Sequence, residues 1–193
     1  MSGQARRRLR VAGVVQGVGF RPFVHAQATA LGLGGFVGND PEGLLIEAQG
    51  TPQALDELQR RVRHEAPALA VIHDIRAETL PVEPLGAAAG GVPGARTGRP
   101  TFRIVGSVDG GGTTSIPPDV AVCADCLAEM RDPEDRRHGY PFIACTHCGP
   151  RFTIATGLPY DRDRTTMVGF PLCELCRAEY TDPQGRRFHA QPT

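Results

Sequence analysis

The chain has 193 residues, of which 40% are hydrophobic and 22% charged, with Lys+Arg and Asp+Glu both numbering 21. That length holds one ordinary domain or two small ones, and the composition is that of a soluble globular protein. Zero net charge removes any broad electrostatic pull toward nucleic acid or a membrane surface, so neither is expected as a partner. No apolar run approaches the roughly 18 residues that span a bilayer, and the N-terminus lacks the apolar stretch of a signal peptide. The expected location is the cytoplasm, where thiols stay reduced.

Taken in chain order, Arg6, Arg7, Arg8 and Arg10 form a basic cluster over the start of an alternating segment, residues 8–15. There Arg8 and Arg10 oppose Leu9 and Val11, so the cluster reads as the solvated face of a strand. Pro22 suits the first position of a helix over 22–31, with Phe23, Ala26 and Ala30 on one face and Gly32 and Gly34 at its end. Phe36 and Val37 open a second strand, residues 39–43 make a turn, and Leu44, Ile46 and Ala48 alternate in a third strand. Thr51-Pro52 is an N-cap followed by Pro at the first helical position, and Leu55, Leu58 and Val62 line that second helix. Residues 70–77 and 101–105 read as two more strands, separated by a patternless loop over 81–100.

The order β-α-β-β-α-β plus an extra strand predicts an α+β fold of the split, ferredoxin-like kind. The expected domains are 1–106, a Gly-rich linker over 107–116, and a small cysteine-punctuated module over 117–193. The core of that module is too thin to fold well without metal.

Two places carry chemistry. In the first, Gln16, Gly17, Val18, Gly19, Phe20 and Arg21 run from a strand end into a helix start. Glycines there let successive N–H groups converge on one anion, and the helix N-terminus adds positive potential. Arg21 can fork onto two phosphate oxygens, which a lysine cannot do. In the second, all six cysteines fall in Cys-x-x-Cys pairs: Cys123 and Cys126, Cys145 and Cys148, Cys173 and Cys176. The first two pairs are 18 residues apart, the spacing of a four-thiolate zinc site that is usually structural. Cys173 and Cys176 are also expected to bind metal, but that second set is incomplete, with His189 as a candidate third ligand. Residues 1–122 contain no cysteine, so this half is expected to fold and work independently of the metal.

The segment Val11–Arg21 (VAGVVQGVGFR) resembles the first acylphosphatase signature, and Gly35-Phe36-Val37-Gly38-Asn39 followed by Gly43 is similar to the second. The resemblance spans about residues 8–105 and implies an acylphosphatase sandwich. Arg21 and the loop amides would hold the phosphoryl group of an acyl phosphate, and Asn39 would orient the attacking water. Gly38 departs from the basic or larger residue often found there. Cys145–Thr153, Pro159–Arg162 and Arg186–Pro192 resemble HypF-type carbamoyltransferases of nickel–iron hydrogenase maturation, in which zinc fingers follow the acylphosphatase domain. What the resemblance implies is hydrolysis of carbamoyl phosphate in an N-terminal fragment of such a protein. Nucleotide-binding and carbamoyl-transfer domains or a further chain would follow, and a hydrogenase maturation protein would be the partner. The alternative reading is a non-catalytic ferredoxin-like domain with a zinc ribbon that docks a protein or nucleic acid.

Overall fold

The computed structural model describes residues 3–40, 42–83, 101–106, 116–158 and 160–193. Its first half runs β1 (Ala5–Val14), α1 (Phe20–Ala30), β2 (Gly34–Asp40), β3 (Gly43–Gly50), α2 (Pro52–His64), β4 (Val71–Leu80) and β5 (Phe102–Ile104). The sheet order is β4-β1-β3-β2-β5, antiparallel except for β5, which lies parallel to β2. This is the ferredoxin-like arrangement with its extra strand at the edge. Most of the 81–100 loop and the 107–116 linker, namely residues 84–100 and 107–115, lie outside the described residues.

Period-2 alternation sorts the sheet into two unlike faces. Leu9, Val11, Val37, Leu44 and Ile46 point into a core closed by Phe20, Val24 and Ala28 of α1 and by Leu55, Leu58 and Val62 of α2. The other face carries Arg6, Arg8 and Arg10, which are ion-paired rather than simply solvated, while Arg7 on the helix side reaches Asp56 and Gln59 of α2. Glu47 on β3 is only 5% exposed and accepts from Arg6 at 2.6 Å and from Arg8 at 2.6 and 2.8 Å. The register sets Arg8 directly opposite Glu47, so a carboxylate deep in that face meets two guanidiniums.

Three local expectations change. Helix α1 begins two residues before Pro22, because Gly19 takes a left-handed N-cap conformation (φ 77°) that turns the chain early. Pro22 still falls in the first turn, where a missing N–H leaves no helical bond unmade. The buried stripe of α1 is therefore Phe20, Val24 and Ala28, while Ala26 and Ala30 are exposed. Strand β2 also continues through Asn39 to Asp40, whose Oδ1 accepts from the Glu42 N–H at 2.9 Å to close a tight hairpin. At α2 the Thr51 hydroxyl accepts from the Ala54 N–H at 3.3 Å, the expected cap.

The second half contains α3 (Ala124–Arg131) and α4 (Glu174–Thr181) joined by short 3-10 turns. The two helices open copies of one pattern offset by fifty positions: Cys123, Cys126, Glu129, Asp132, Arg136 and Arg137 recur as Cys173, Cys176, Glu179, Asp182, Arg186 and Arg187. The copies hold each other reciprocally. Arg136 and Arg137 donate to Glu179, and Arg186 and Arg187 donate to Glu129.

Leu58 is wholly buried between α2 and the sheet. Leu58→Ala should cost about 2–5 kcal/mol in urea denaturation, through lost transfer energy and the cavity left behind. Ala26→Ser, on the exposed face of α1, should stay within about 0.5 kcal/mol of the unmodified protein.

Candidate active site and metal centre

The turn from β1 to α1 builds a cradle. Gly17 and Gly19 take left-handed φ of 70° and 77° on either side of Val18, and glycine turns of this kind direct successive N–H groups toward one side. Val15 and Val18 anchor the turn in the core. Arg21 follows at the start of α1 and is only 7% exposed. Burial lowers its pKa, opposed chiefly by the charge of Asp161, yet an arginine so placed keeps its proton.

Asn39 sits on β2, with Leu44 of β3 between it and Val11 of β1 in the register. It is therefore level with the stretch of β1 that runs up to the cradle. Asn39 is 2% exposed, and its Oδ1 is buried with no hydrogen-bond partner among the described residues. Unpaired buried acceptors are uncommon, and each calls for an explanation such as a catalytic role or a bound water or ion. The glycine at 38 has a packing reason: a Cβ there would come within 2.6 Å of Val105 Cγ2.

The cysteine-rich half sits on this cradle. A Cβ on Gly17 would meet Pro150 at 2.6 Å and Tyr160 at 3.1 Å, and one on Gly19 would meet Thr146 at 3.0 Å. The Gln16 Oε1 accepts from the Tyr160 N–H at 3.4 Å, and Arg21 Nη2 lies 3.6 Å from Asp161 Oδ1. His189 completes the cover, its ring stacked against Phe188 at 4.2 Å and Tyr180 at 5.0 Å. Burial first, and then the Arg21 charge, hold its pKa down to about 4, so the imidazole is neutral near pH 7. Beside this junction a cleft of about 480 Å³ is lined by His25, Phe102, Arg103, Phe188 and His189, among others.

Among the described residues, Cys123, Cys126, Cys145 and Cys148 make the one cluster with metal-binding geometry, their sulfurs all within 4.8 Å of one another. Cys145 Sγ lies 3.7 Å from Cys123 Sγ and 3.8 Å from Cys148 Sγ. A tetrahedron with Zn–S bonds of about 2.3 Å has edges of about 3.8 Å, so the donor set fits zinc. These separations are far beyond a disulfide bond. The Cys123 N–H and an Arg186 N–H donate to Cys148 and Cys126 at 3.2 Å, as thiolates require. Burial raises the Cys126 thiol, whereas N–H groups of Cys123 and Cys145 overcome burial and bring Cys148 down to about 7.

Cys173 and Cys176 stay together, apart from that cluster, and Cys176 accepts from Arg136 at 3.3 Å as Cys126 does from Arg186. His189 is brought to the cradle, not to this pair; no group of three donors forms around Cys173 and Cys176 among the described residues. His147 is exposed. Tyr160, Asp161 and Gln191 lie in Pro159–Arg162 and Arg186–Pro192, stretches that the sequence singles out by resemblance but to which it assigns no role. The contact between Gln16 and Tyr160 joins residues 144 positions apart, which no local pattern announces.

The expectation that the first half is independent of the metal meets a direct contact at the cradle, where Thr146, Pro150, Tyr160, Asp161 and His189 form the cover. Removing the metal with a strong chelator should release one zinc per chain and speed hydrogen exchange of the amides of residues 16–20 by about tenfold or more, with the sheet intact. Unchanged protection of those amides would show that the cover is not held by metal.

Residues 7–85 match the acylphosphatase family, and residues 122–155 and 172–193 match the HypF finger. The chain is 50% identical over 185 residues to carbamoyltransferase HypF of Rhodobacter capsulatus, covering 96% of this chain and 23% of that protein. It is 41% identical over 80 residues to the acylphosphatase of Caldivirga maquilingensis, covering 40% of this chain and 83% of that protein. Its fold superposes on the crystal structure of full-length HypF in the phosphate- and nucleotide-bound form with a TM-score of 0.85 at 43% identity, over 99% of this chain and 24% of that one. The chain thus spans about a quarter of the length of the HypF proteins it matches. Its first half belongs to the acylphosphatase family, and with the finger that follows the chain belongs to the HypF-type carbamoyltransferases, as their N-terminal part.

Proposed function

We propose that the chain hydrolyses an acyl phosphate, carbamoyl phosphate foremost, as the N-terminal part of a carbamoyltransferase that serves nickel–iron hydrogenase maturation. The observation that carries this reading is the buried Arg21 at the mouth of the glycine turn, whose ion-pair partner among the described residues is Asp161. A guanidinium held this way matches two phosphoryl oxygens at once, and the amides of residues 16–20 take the remaining charge.

The chemistry then asks for positioning and charge stabilisation. Water is oriented by the Asn39 Oδ1, which accepts one of its hydrogens, and its oxygen attacks phosphorus. The bond from phosphorus to the acyl oxygen breaks, its electron pair leaving with the acyl group as carbamate, and the water proton passes to a phosphoryl oxygen. Charge on those oxygens is met by Arg21 and the cradle amides throughout, so no covalent intermediate on the protein is needed. Carbamate would be consumed by nucleotide-binding and carbamoyl-transfer domains, with a hydrogenase maturation protein as the acceptor partner, in the cytoplasm. Zinc on Cys123, Cys126, Cys145 and Cys148 would be structural, holding the cover on the cradle. Cys173 and Cys176 would need further donors.

Arg21→Ala should lower kcat/KM for acetyl phosphate by about 10²–10³, and Arg21→Lys should recover only part, because it keeps charge without the fork. Asn39→Ala should lower kcat by about 10² and leave inhibition by inorganic phosphate nearly unchanged, since its partner is water. Steady-state assays on variants with unmodified circular dichroism check both. Unmodified rates in either alanine variant sink the site.

A further inference from the structure

The finger half places a carboxylate against the phosphate-binding arginine, and that placement is built rather than incidental. Tyr160 is pinned on three sides. Its N–H donates to Gln16 Oε1 at 3.4 Å, its carbonyl accepts from Gln191 Nε2 at 3.4 Å, and its hydroxyl accepts from the Arg151 N–H at 2.8 Å. On the other side of Asp161, Arg162 donates to the carbonyls of Gln191 and Thr193 at 2.5 Å and to that of Phe170 at 2.6 Å. The backbone of Asp161 is thus fixed between two anchored neighbours, and its carboxylate stands 3.6 Å from Arg21 Nη2. Charge-assisted hydrogen bonds run at about 2.7–2.9 Å, so the pair is close but not locked. The other titratable groups that face it are Tyr180 and His189, the latter neutral near pH 7.

A carboxylate here is a poor choice for a site that binds phosphate and nothing else. It repels phosphoryl oxygens and competes for the guanidinium that should hold them. The phosphoryl group is enclosed by the amides of residues 16–20 and by Arg21. Its one bridging oxygen must lead outward, toward the cover that Tyr160 and Asp161 supply. Whatever is attached to that oxygen meets the carboxylate. An acetyl group presents a methyl there; a carbamoyl group presents an NH2 with two donors. A carboxylate only accepts, so it rewards the second and is left unpaired by the first.

We propose that Asp161 is a specificity-determining residue: paired with Arg21 in the resting protein, it hands the guanidinium to the incoming phosphate and accepts from the amide N–H of a carbamoyl group. This rests on the reading of the cradle as an acyl phosphate site. The exchange is balanced, since Arg21 trades one anion for another and Asp161 trades a guanidinium for an amide. A partly exposed site of this kind discriminates less than a sealed one, and roughly 10- to 100-fold is expected between substrates with and without the N–H.

The test uses the zinc-loaded chain with carbamoyl phosphate and acetyl phosphate as paired substrates and inorganic phosphate as inhibitor. In Asp161→Ala the ratio of kcat/KM for carbamoyl over acetyl phosphate should fall about tenfold or more, while acetyl phosphate hydrolysis rises and phosphate inhibits at lower concentration. Asp161→Asn, which keeps an acceptor oxygen and loses the charge, should give an intermediate ratio. A ratio taken within one variant cancels any loss of folded protein. An unchanged ratio with tighter phosphate inhibition would leave Asp161 as a repelling charge alone and overturn the proposal. Failure of the unmodified chain to hydrolyse either substrate overturns the acyl phosphate reading itself, and this proposal with it.

Discussion

A guanidinium removed from water must be given an anion, and Arg21 is removed from water almost completely. The architecture around it follows from that requirement. The β1–α1 turn bends through two left-handed glycines and delivers the arginine at the start of the helix. The finger half brings Asp161 from 140 positions further along the chain to within 3.6 Å. A free-standing cradle would leave that charge to solvent; here the cover gives it a fixed partner. On the proposed reading, a phosphoryl group entering the cradle would meet an ion pair that already exists and would be weighed against Asp161 rather than against water.

The cover can hold its position because the finger half is tied together by charge instead of by a large core. Among the described residues its apolar cluster gathers around Cys126, Ile143, Ala144, Cys145 and Cys148, with Ile154, Met167 and Phe188 buried elsewhere. What this small core lacks is supplied by arginines exchanged between the two copies. Glu129 and Glu179 each accept from a pair of arginines on the opposite copy, and the same arginines reach the sulfurs of Cys126 and Cys176. Four thiolates around one divalent ion carry excess negative charge, and donors aimed at the sulfur offset it. The metal centre and the ion pairs are one electrostatic unit.

Much of the first half could be read from the chain because its forces are local and periodic. Alternation found the strands, Thr51-Pro52 found α2, and Arg21 and Asn39 lie in short stretches whose shape depends on their own neighbours. The helix start at Phe20 was harder, since it depends on the backbone of Gly19 rather than on Pro22. The arginine face looked solvated because strand register, not sequence distance, brings Glu47 to Arg6 and Arg8. Tyr160, Asp161 and Gln191 are beyond any local reading: each acts through a segment that is distant in the chain. The doubled finger was there to be read, in the recurrence of paired cysteines, Glu, Asp-Pro and Arg-Arg, but an offset of fifty residues is invisible to a search window sized for helices and strands.

That doubling allows the copies to be compared at one equivalent position. In the first, the N–H of Gly139 bonds to the Met130 carbonyl at 2.9 Å with φ 68°; in the second, the N–H of His189 bonds to the Tyr180 carbonyl at 3.0 Å with φ 51°. The loop asks for a left-handed residue, and glycine meets the request without strain, whereas a side chain there costs on the order of 1–2 kcal/mol. The second copy places the costlier one at the position that looks onto Arg21, and an imidazole Nδ1 buried with no partner among the described residues stands where its twin has only a hydrogen atom. The two copies thus differ at this position: glycine turns the chain in the first, and in the second the imidazole accepts a strained backbone and becomes a wall beside Arg21.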